Sequence, residues 1–251
     1  MSGPSVTATT DRLLGGRVIV RQPESGYRAA VDPILLAAAV RATPGQKVPM
    51  KVLDAGCGAG AAMFCLAARV PGLALTGLEI QHAYAVLAGE GIALNQLNDT
   101  FIITGDLLRP PPDMLNGFDI VLTNPPYGDA GTPPPDPGLA VAHMEGEADD
   151  AAWNRACLAF MKPKGRLVMI HRADRLSDIL AALHDNSTGD VRIFPIFPKA
   201  GSPARRIIID AGKGRRSPDT LFPGLVLHEE GGAYTVAADA ILRNAAALAT
   251  S

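Results

Sequence analysis

The sequence has little with which to build cross-links. Its three cysteines, Cys57, Cys65 and Cys157, form no CxxC pair and no Cys/His cluster, which argues against a disulfide framework or a structural zinc site and fits a reducing cytoplasm. Aromatic residues make up only 5% of the chain, with a single tryptophan. No segment approaches the roughly 18 consecutive apolar residues of a membrane span, and MSGPSVTATTDRLLGG lacks the charged start and apolar run of an export signal. An excess of one charge is also missing: 23 Lys/Arg face 25 Asp/Glu, net −2. Nucleic acid is therefore not advertised globally and would have to be met by a local basic patch. His143, His171 and His228 share no spacing that suggests a metal site or a nucleophile triad, and His171, ending an apolar strand, reads as a packed or rim residue.

What is present is an Ala-rich chain of 251 residues, 47% hydrophobic and 19% charged, enough for one large or two small globular domains. From Lys51 onward, Leu-rich and β-branched runs alternate with helical ones: KVLDAG, ALTGLEI, FIITGD, FDIVLTNPP, GRLVMIHRA, VRIFPIFP and RRIIIDAGK read as strands. AGAAMFCLAARV, HAYAVLAGEGIALNQL, WNRACLAFMKP and ADRLSDILAALHD read as helices. The count predicts an α/β, Rossmann-like fold, a seven-stranded mostly parallel sheet with helices on both faces. Residues 1–50 are expected to form an N-terminal extension with a lid helix on the core, and 51–251 a single domain.

Within the extension, residues 1–12 read as a frayed end and RVIVRQP from Arg17 as a strand or hairpin arm. Asp32-Pro33 reads as an N-cap and first-turn pair opening a helix to Arg41. Between Tyr127 and Trp153, a Gly-, Pro- and acid-rich stretch predicts a long surface loop. KGRRSPDTLFPG and HEEGGAY predict a hairpin-like tail before a helix over about Ala237–Ala249.

Asp54-Ala-Gly56-Cys57-Gly58-Ala-Gly60 lies between a strand and a helix, where doubly wound sheets bind nucleotides. Its GxGxG spacing differs from the GxGxxG pyrophosphate fingerprint and suits a ligand without pyrophosphate. Glu79 ends the next strand, where a carboxylate can accept from both ribose hydroxyls, and Asp106 follows the third strand, placed to touch an adenine amino group. Singly, either acid would equally be a solvated strand end or a helix cap. The ordered set resembles the class I S-adenosylmethionine-dependent methyltransferases over roughly Lys51–Gly212. The resemblance implies that Asp54, Gly56 and Gly58 line the methionine and ribose, that Glu79 holds the ribose and Asp106 the adenine. It brings Cys57, Gly60, Ile80, Leu107 and Asn124 into the expected cofactor set, although the Cys57 side chain itself reads as packing.

Asn124-Pro125-Pro126-Tyr127 follows the apolar strand FDIVLT. Two prolines cannot continue a ladder, so they stiffen a turn that projects an amide, a free carbonyl and an aromatic ring. An amino nucleophile needs such groups: the Asn124 side-chain oxygen and the Pro125 carbonyl can accept its protons, favouring the electron-rich nitrogen of the transition state. Tyr127 can stack on a splayed base. Neither a covalent enzyme intermediate nor a metal is called for. The tetrapeptide resembles the [DNS]PP[YFW] signature of amino-group methyltransferases, which is shared by adenine-N6, cytosine-N4, guanine-N2 and glutamine-amide enzymes.

GYRAAVDPILLAAAV, NPPYGDAG, HRADRLSDILAAL and FPKAGSPARRIIIDAGKG resemble the small-domain bacterial tRNA (adenine-N6) methyltransferases that act beside the anticodon of a valine tRNA. That resemblance implies that Tyr27, Arg28 and Asp32 help close over the cofactor and that RNA, specifically tRNA, is the partner. The chain departs from the family pattern in the insertion GTPPPDPGLAVAHMEGEADD after the motif. Residues 161–216 hold twelve Lys/Arg against five Asp, net +7, a candidate phosphate-contacting flank in which Arg205-Arg206 and Arg215-Arg216 stand out; a solvated face is the plainer reading of the same charges. Trp153 reads as docking its helix on the sheet. A release-factor-type glutamine enzyme, which brings a helical domain that residues 1–50 hardly accommodate, a guanine-N2 RNA enzyme and a non-catalytic cofactor-binding RNA subunit are the competing expectations.

Overall fold

The computed structural model describes residues 7–25, 28–41, 48–126 and 148–249. An antiparallel hairpin, β1 (Ala8–Leu13) and β2 (Val18–Pro23), precedes helix α1 (Asp32–Ala39). The alternating core then runs β3 (Lys51–Ala55), α2 (Ala61–Arg69), β4 (Ala74–Glu79), α3 (His82–Leu94), β5 (Thr100–Thr104) and β6 (Phe118–Thr123). It continues through α4 (Ala148–Phe160), β7 (Met161–Arg172), α5 (Leu176–Asp185), β8 (Thr188–Lys199) and β9 (Arg206–Lys213). Two short strands, β10 (Thr220–Leu221) and β11 (Leu225–His228), and helix α6 (Val236–Asn244) close the described chain.

Seven long strands lie in the order β8-β9-β7-β6-β3-β4-β5, all parallel except β9, which runs against both neighbours. The predicted mostly parallel sheet is thus present, widened to nine strands because β10 and β11 each pair in parallel with the outer strand β8. Both faces are covered. Leu35, Leu36, Met63, Phe64 and Ile241 of α1, α2 and α6 pack on one side, and Cys157, Phe160, Ile179 and Leu183 of α4 and α5 on the other. Central strands enclosed in this way are largely apolar: Val52–Ala55 and Ile120–Thr123 are buried without interruption, with Asp54 and Thr123 the polar residues among them.

The start of the chain differs from expectation. Ala8–Leu13 is strand rather than a frayed end, although its alternation is weakly apolar. Pairing with β2 and a polar knot hold it: Asp11 accepts from Gln22 Nε2 at 2.8 Å and Arg28 at 2.6 Å, and the Gln22 side chain accepts from Ala29 N at 2.6 Å. The side chain of Asn95, the residue that ends α3, bonds both N–H and C=O of Ile19, at 2.9 and 2.6 Å, docking the hairpin on the core. Helix α1 stops two residues short of Arg41, and Asp32 sits inside its first turn without capping it; the Asp32 carboxylate instead accepts from Arg206 Nε at 3.0 Å. Arg69 of α2 donates to the carbonyls of Ala37 and Val40, satisfying the end of α1.

The stretch expected to be loop up to Trp153 turns helical at Ala148, because the buried stripe Ala156, Cys157 and Phe160 draws α4 onto the sheet. Residues 127–147 lie outside the described residues. The tail forms β10, β11 and a turn closed by the His228–Tyr234 bridge, and its helix covers Val236–Asn244, shorter at the C-terminal end than predicted. The Thr235 hydroxyl caps that helix by accepting from Ala238 N at 3.1 Å.

Candidate active site

The strand order reverses between β3 and β6, so the chain leaving their C-terminal ends diverges and opens a crevice. Ala55 and Thr123 are register partners, the last pair before the two strands separate. One residue further on stand Gly56 and Asn124. Two sequence features that are far apart along the chain thus start side by side, about 5 Å from strand to strand.

The glycine loop is held mainly by main-chain bonds. Gly56 N and Cys57 N both donate to Leu78 O, at 2.9 and 3.1 Å, and Gly60 N donates to Cys57 O at 2.8 Å. Gly60 has φ +84°, and a Cβ there would stand 2.5 Å from the Phe64 ring; only glycine can turn the chain into α2 at this spot. Nothing stands within 4 Å of the position a Gly58 Cβ would take, so the crest of the loop is open.

Glu79, the last residue of β4, is 6% exposed and stitches the loop to its neighbour: one carboxylate oxygen accepts from Gly58 N and the other from Gln81 N, both at 2.8 Å. Asp54 lies deeper, with its carboxylate accepting from Met63 N in the first turn of α2 at 3.1 Å. Burial pushes Asp54 up to about 7, the Met63 bond pulls the other way, and the nearby charge of Glu79 adds to the rise. Burial, helped by Asp54 and Glu79, also lifts the Cys57 thiol well above its usual value, so it is a packing group, not a nucleophile. Asp106 stands two residues beyond β5, accepts from Leu108 N at 2.8 Å and lies 3.8 Å from Arg109. Beside the carboxylates, Leu107 is buried, whereas Ile80 is 63% exposed immediately after Glu79.

These features fit an adenosyl ligand: a Cβ-free crest for close approach, a carboxylate at the end of the second strand, and an apolar side chain laid out in solvent where a ring face could cover it. Asp54 and Glu79 have no ion-pair partner among the described residues, which leaves a cationic ligand as the natural complement.

On the other side of the crevice Asn124 is half-buried, Pro125 buried and Pro126 exposed, while Tyr127 lies outside the described residues. Pro125, Trp153, Asn154, Met169, His171 and Ile179 line a narrow slot behind the turn. Two residues outside the predicted site set sit here. Thr123, fully buried, donates its hydroxyl to Ala55 O at 2.8 Å, and Trp153 Nε1 donates to Thr123 Oγ1 at 3.0 Å. Trp153 was expected only to dock its helix, and no spacing rule could have tied it to a threonine on another element.

The remaining predicted residues scatter. Tyr27 lies outside the described residues. Arg28 is turned to the hairpin, bonded to Asp11, Thr9 and Pro23 O. Asp32 and Arg206 pair with each other, across from the end of β7 where Arg172 is the register partner of Arg206. Arg205 is exposed at that same edge. Arg215 and Arg216 follow the far end of β9, beyond Lys213, seven residues and hence about 23 Å along the strand from Arg206. There Arg215 packs its stem on Gly212 and its main chain on Gly189. Arg205-Arg206 therefore lie at the sheet edge on which the crevice opens, and Arg215-Arg216 at the opposite edge.

The chain is similar to known methyltransferases. Residues 34–134 match the family model described as methyltransferase small domain. The chain is 29% identical over 174 residues, 68% of each protein, to the tRNA1(Val) (adenine(37)-N6)-methyltransferase of Porphyromonas gingivalis. It is 32% identical over 111 residues to the release factor glutamine methyltransferase of Lactococcus lactis, covering 44% of this chain and 36% of that protein. Among solved structures, a predicted O-methyltransferase from Agrobacterium tumefaciens superimposes with a TM-score of 0.71 at 27% identity, covering 88% of this chain and 99% of that one.

Proposed function

Because the chain is an S-adenosylmethionine-dependent methyltransferase with a small-domain core, we propose that it methylates the exocyclic N6 of an adenine in tRNA. The observation that carries the acceptor chemistry is the register pairing of Ala55 with Thr123, which starts the Asn124-Pro125-Pro126 turn beside the glycine loop. Bound S-adenosylmethionine supplies an electrophilic methyl on a sulfonium. The chain's own contribution is placement. Gly56, Cys57, Gly58, Gly60, Glu79, Ile80, Asp106 and Leu107 hold the adenosyl moiety, and the Asp54 and Glu79 carboxylates complement its positive charge.

Asn124 Oδ1 and the Pro125 carbonyl accept the two amino protons. This orients the nitrogen lone pair toward the methyl and favours the pyramidal nitrogen of the transition state. Tyr127 follows as the surface on which the base stacks. After transfer the nitrogen is cationic and strongly acidic, so it loses its proton without a dedicated base. Adenine in tRNA is preferred as acceptor because the match to the adenine-37 enzyme spans two thirds of both proteins, while the match to the glutamine enzyme covers little more than a third of the latter. The RNA backbone is met at the crevice edge, where Arg172, Lys199 and Arg205 stand. We place the reaction in the cytoplasm, with the substrate.

The test is transfer of labelled methyl from S-adenosylmethionine to tRNA, rRNA and protein fractions, followed by nucleoside mass analysis. N6-methyladenosine in tRNA is the expected product. Label in N2-methylguanosine or in a protein glutamine moves the acceptor and keeps the chemistry; binding of cofactor without transfer to any fraction refutes the enzyme reading of this site.

A further inference from the structure

The two halves of the crevice are joined by something other than the sheet. Trp153 donates from Nε1 to Thr123 Oγ1 at 3.0 Å, and the Thr123 hydroxyl in turn donates to Ala55 O at 2.8 Å. Thr123 immediately precedes Asn124, and Ala55 immediately precedes Gly56. The indole also closes the other side of the loop: a Cβ on Gly56 would meet Trp153 Cη2 and Cζ2 at 3.0 Å. Three elements, β3, β6 and α4, therefore converge on one hydroxyl at the point where the two strands part and the ladder can no longer hold them in register.

We infer that Trp153 and Thr123 form a clamp that fixes the glycine loop against the Asn-Pro-Pro turn and so sets the distance between donor methyl and acceptor amine. Both are positioning residues. The inference rests on the methyltransferase reading of the crevice but not on the identity of the acceptor.

Three features point this way rather than to simple packing. The hydroxyl is fully buried and uses both its roles, accepting from the indole and donating to a main-chain oxygen. The pair reaches one residue from the cofactor loop on one side and one residue from the acceptor turn on the other. The indole stands where a side chain at Gly56 would begin, so the ring packs directly against the loop. In-line transfer is sensitive to misplacement, a shift of about 1 Å costing up to about 100-fold in rate.

Thr123→Val removes both bonds at nearly constant volume, Thr123→Ser retains them, and Trp153→Phe keeps an aromatic ring beside Gly56 but loses the donor. With labelled tRNA methylation as the assay, kcat is expected to fall by about tenfold or more in Thr123→Val and in Trp153→Phe, with KM for tRNA and cofactor Kd within about threefold of wild type. Thr123→Ser restores kcat to within about twofold. The double variant is no slower than the worse single one, since both remove the same connection. Wild-type kcat in Thr123→Val, multiplicative losses in the double variant, or failure of Thr123→Ser to rescue would each overturn the clamp.

A second readout needs no acceptor. Trp153 is the sole tryptophan beside four tyrosines, so emission excited selectively in the indole band reports on this side chain. S-adenosylmethionine should change that emission in the wild type, and Thr123→Val should diminish the change at saturating cofactor. An indole that stays silent while calorimetry shows the cofactor bound refutes the clamp, whereas absence of tRNA methylation with a responsive indole refutes only the choice of acceptor.

Discussion

Two groups of buried carboxylates, on the same sheet, are treated in opposite ways. Toward the N-terminal ends of the parallel strands, Asp210 is 1% exposed and faces two guanidiniums: Arg166 bonds it through Nε, and Arg192 lies 3.6 Å away. Arg166 also reaches Asp190 at 2.7 Å and the carbonyls of Asp190 and Asp210 at 3.0 Å each. At the C-terminal ends, Asp54 and Glu79 are nearly as buried but, among the described residues, are held by the amides of Met63, Gly58 and Gln81 and by no cation. The first group carries its own countercharge and is complete. The second is an acidic hollow with no countercharge among the described residues, and a sulfonium and ammonium compound would complement it. The difference teaches that burial of acids does not by itself mark a site; the missing cation does.

Removing a carboxylate from the complete group should produce the largest effect. Asp210→Ala leaves Arg166 and Arg192 without their buried partner, and unfolding by denaturant is expected to show a loss of about 3–5 kcal/mol. Cofactor affinity of the folded fraction should stay as in wild type. A loss below about 1 kcal/mol would mean that Asp210 is dispensable and would dissolve the contrast between the two groups. Next in size is Asn124→Ala at the other end of the strands. Turnover should drop at least ~100-fold, as for loss of one oriented polar group in an active site, with the melting temperature and cofactor Kd little changed. An equal loss of cofactor binding would place Asn124 on the ligand rather than on the acceptor.

The contrast also has a pH signature. Burial raises Asp54 to about 7 from 3.8, so the cofactor-free native state holds this proton more tightly than the unfolded chain does. Stability then falls as pH rises between about 4 and 7, because over that window the native state binds more protons than the unfolded one. Asp54→Asn should remove that slope and be the more stable protein at pH 8, at the expense of cofactor affinity. A cationic ligand favours the ionised form, so wild-type affinity for S-adenosylmethionine should strengthen from pH 6 to pH 8, and calorimetry in buffers of different ionisation heat should detect proton release near neutrality. Parallel stability profiles for wild type and Asp54→Asn would rule out this titration.

How much of this was legible beforehand follows from what each signal depends on. The glycine loop, Glu79 and the Asn-Pro-Pro turn are read from local chemistry: a turn that requires φ above zero, a carboxylate at a strand end, prolines that stop a ladder. The parallel order of the core follows from apolar runs separated by helices. The hairpin strand Ala8–Leu13 was missed because ATTDRL has almost no apolar alternation and is held by pairing and by the Asp11 knot. β10 and β11 are too short to show a period. The Trp153–Thr123–Ala55 contact joins three elements distant in sequence, so no spacing could announce it.

The basic segment 161–216 shows the same limit and provides the finest test. Counted along the sequence its twelve cations form one patch, but β9 runs antiparallel and carries Arg205-Arg206 and Arg215-Arg216 to opposite edges of the sheet. Part of the positive charge is consumed inside the fold: Arg166 and Arg192 serve Asp190 and Asp210, and Lys213 donates to the carbonyls of Leu158 and Met161, both at 2.8 Å. What faces the crevice side is a smaller set, with Arg205 exposed beside it. Charge reversal separates the two edges without touching the core. Arg205→Glu should weaken tRNA binding by about tenfold at low salt and lower the slope of log K against log salt by about one, the signature of a lost phosphate contact. Arg215→Glu with Arg216→Glu should leave both affinity and slope close to wild type although it reverses twice the charge. If the distal pair instead carries the larger effect, the RNA wraps onto the N-terminal edge and the crevice side is not its main grip; if both variants lose affinity equally, net charge alone governs binding and the position of the residues on the sheet is immaterial.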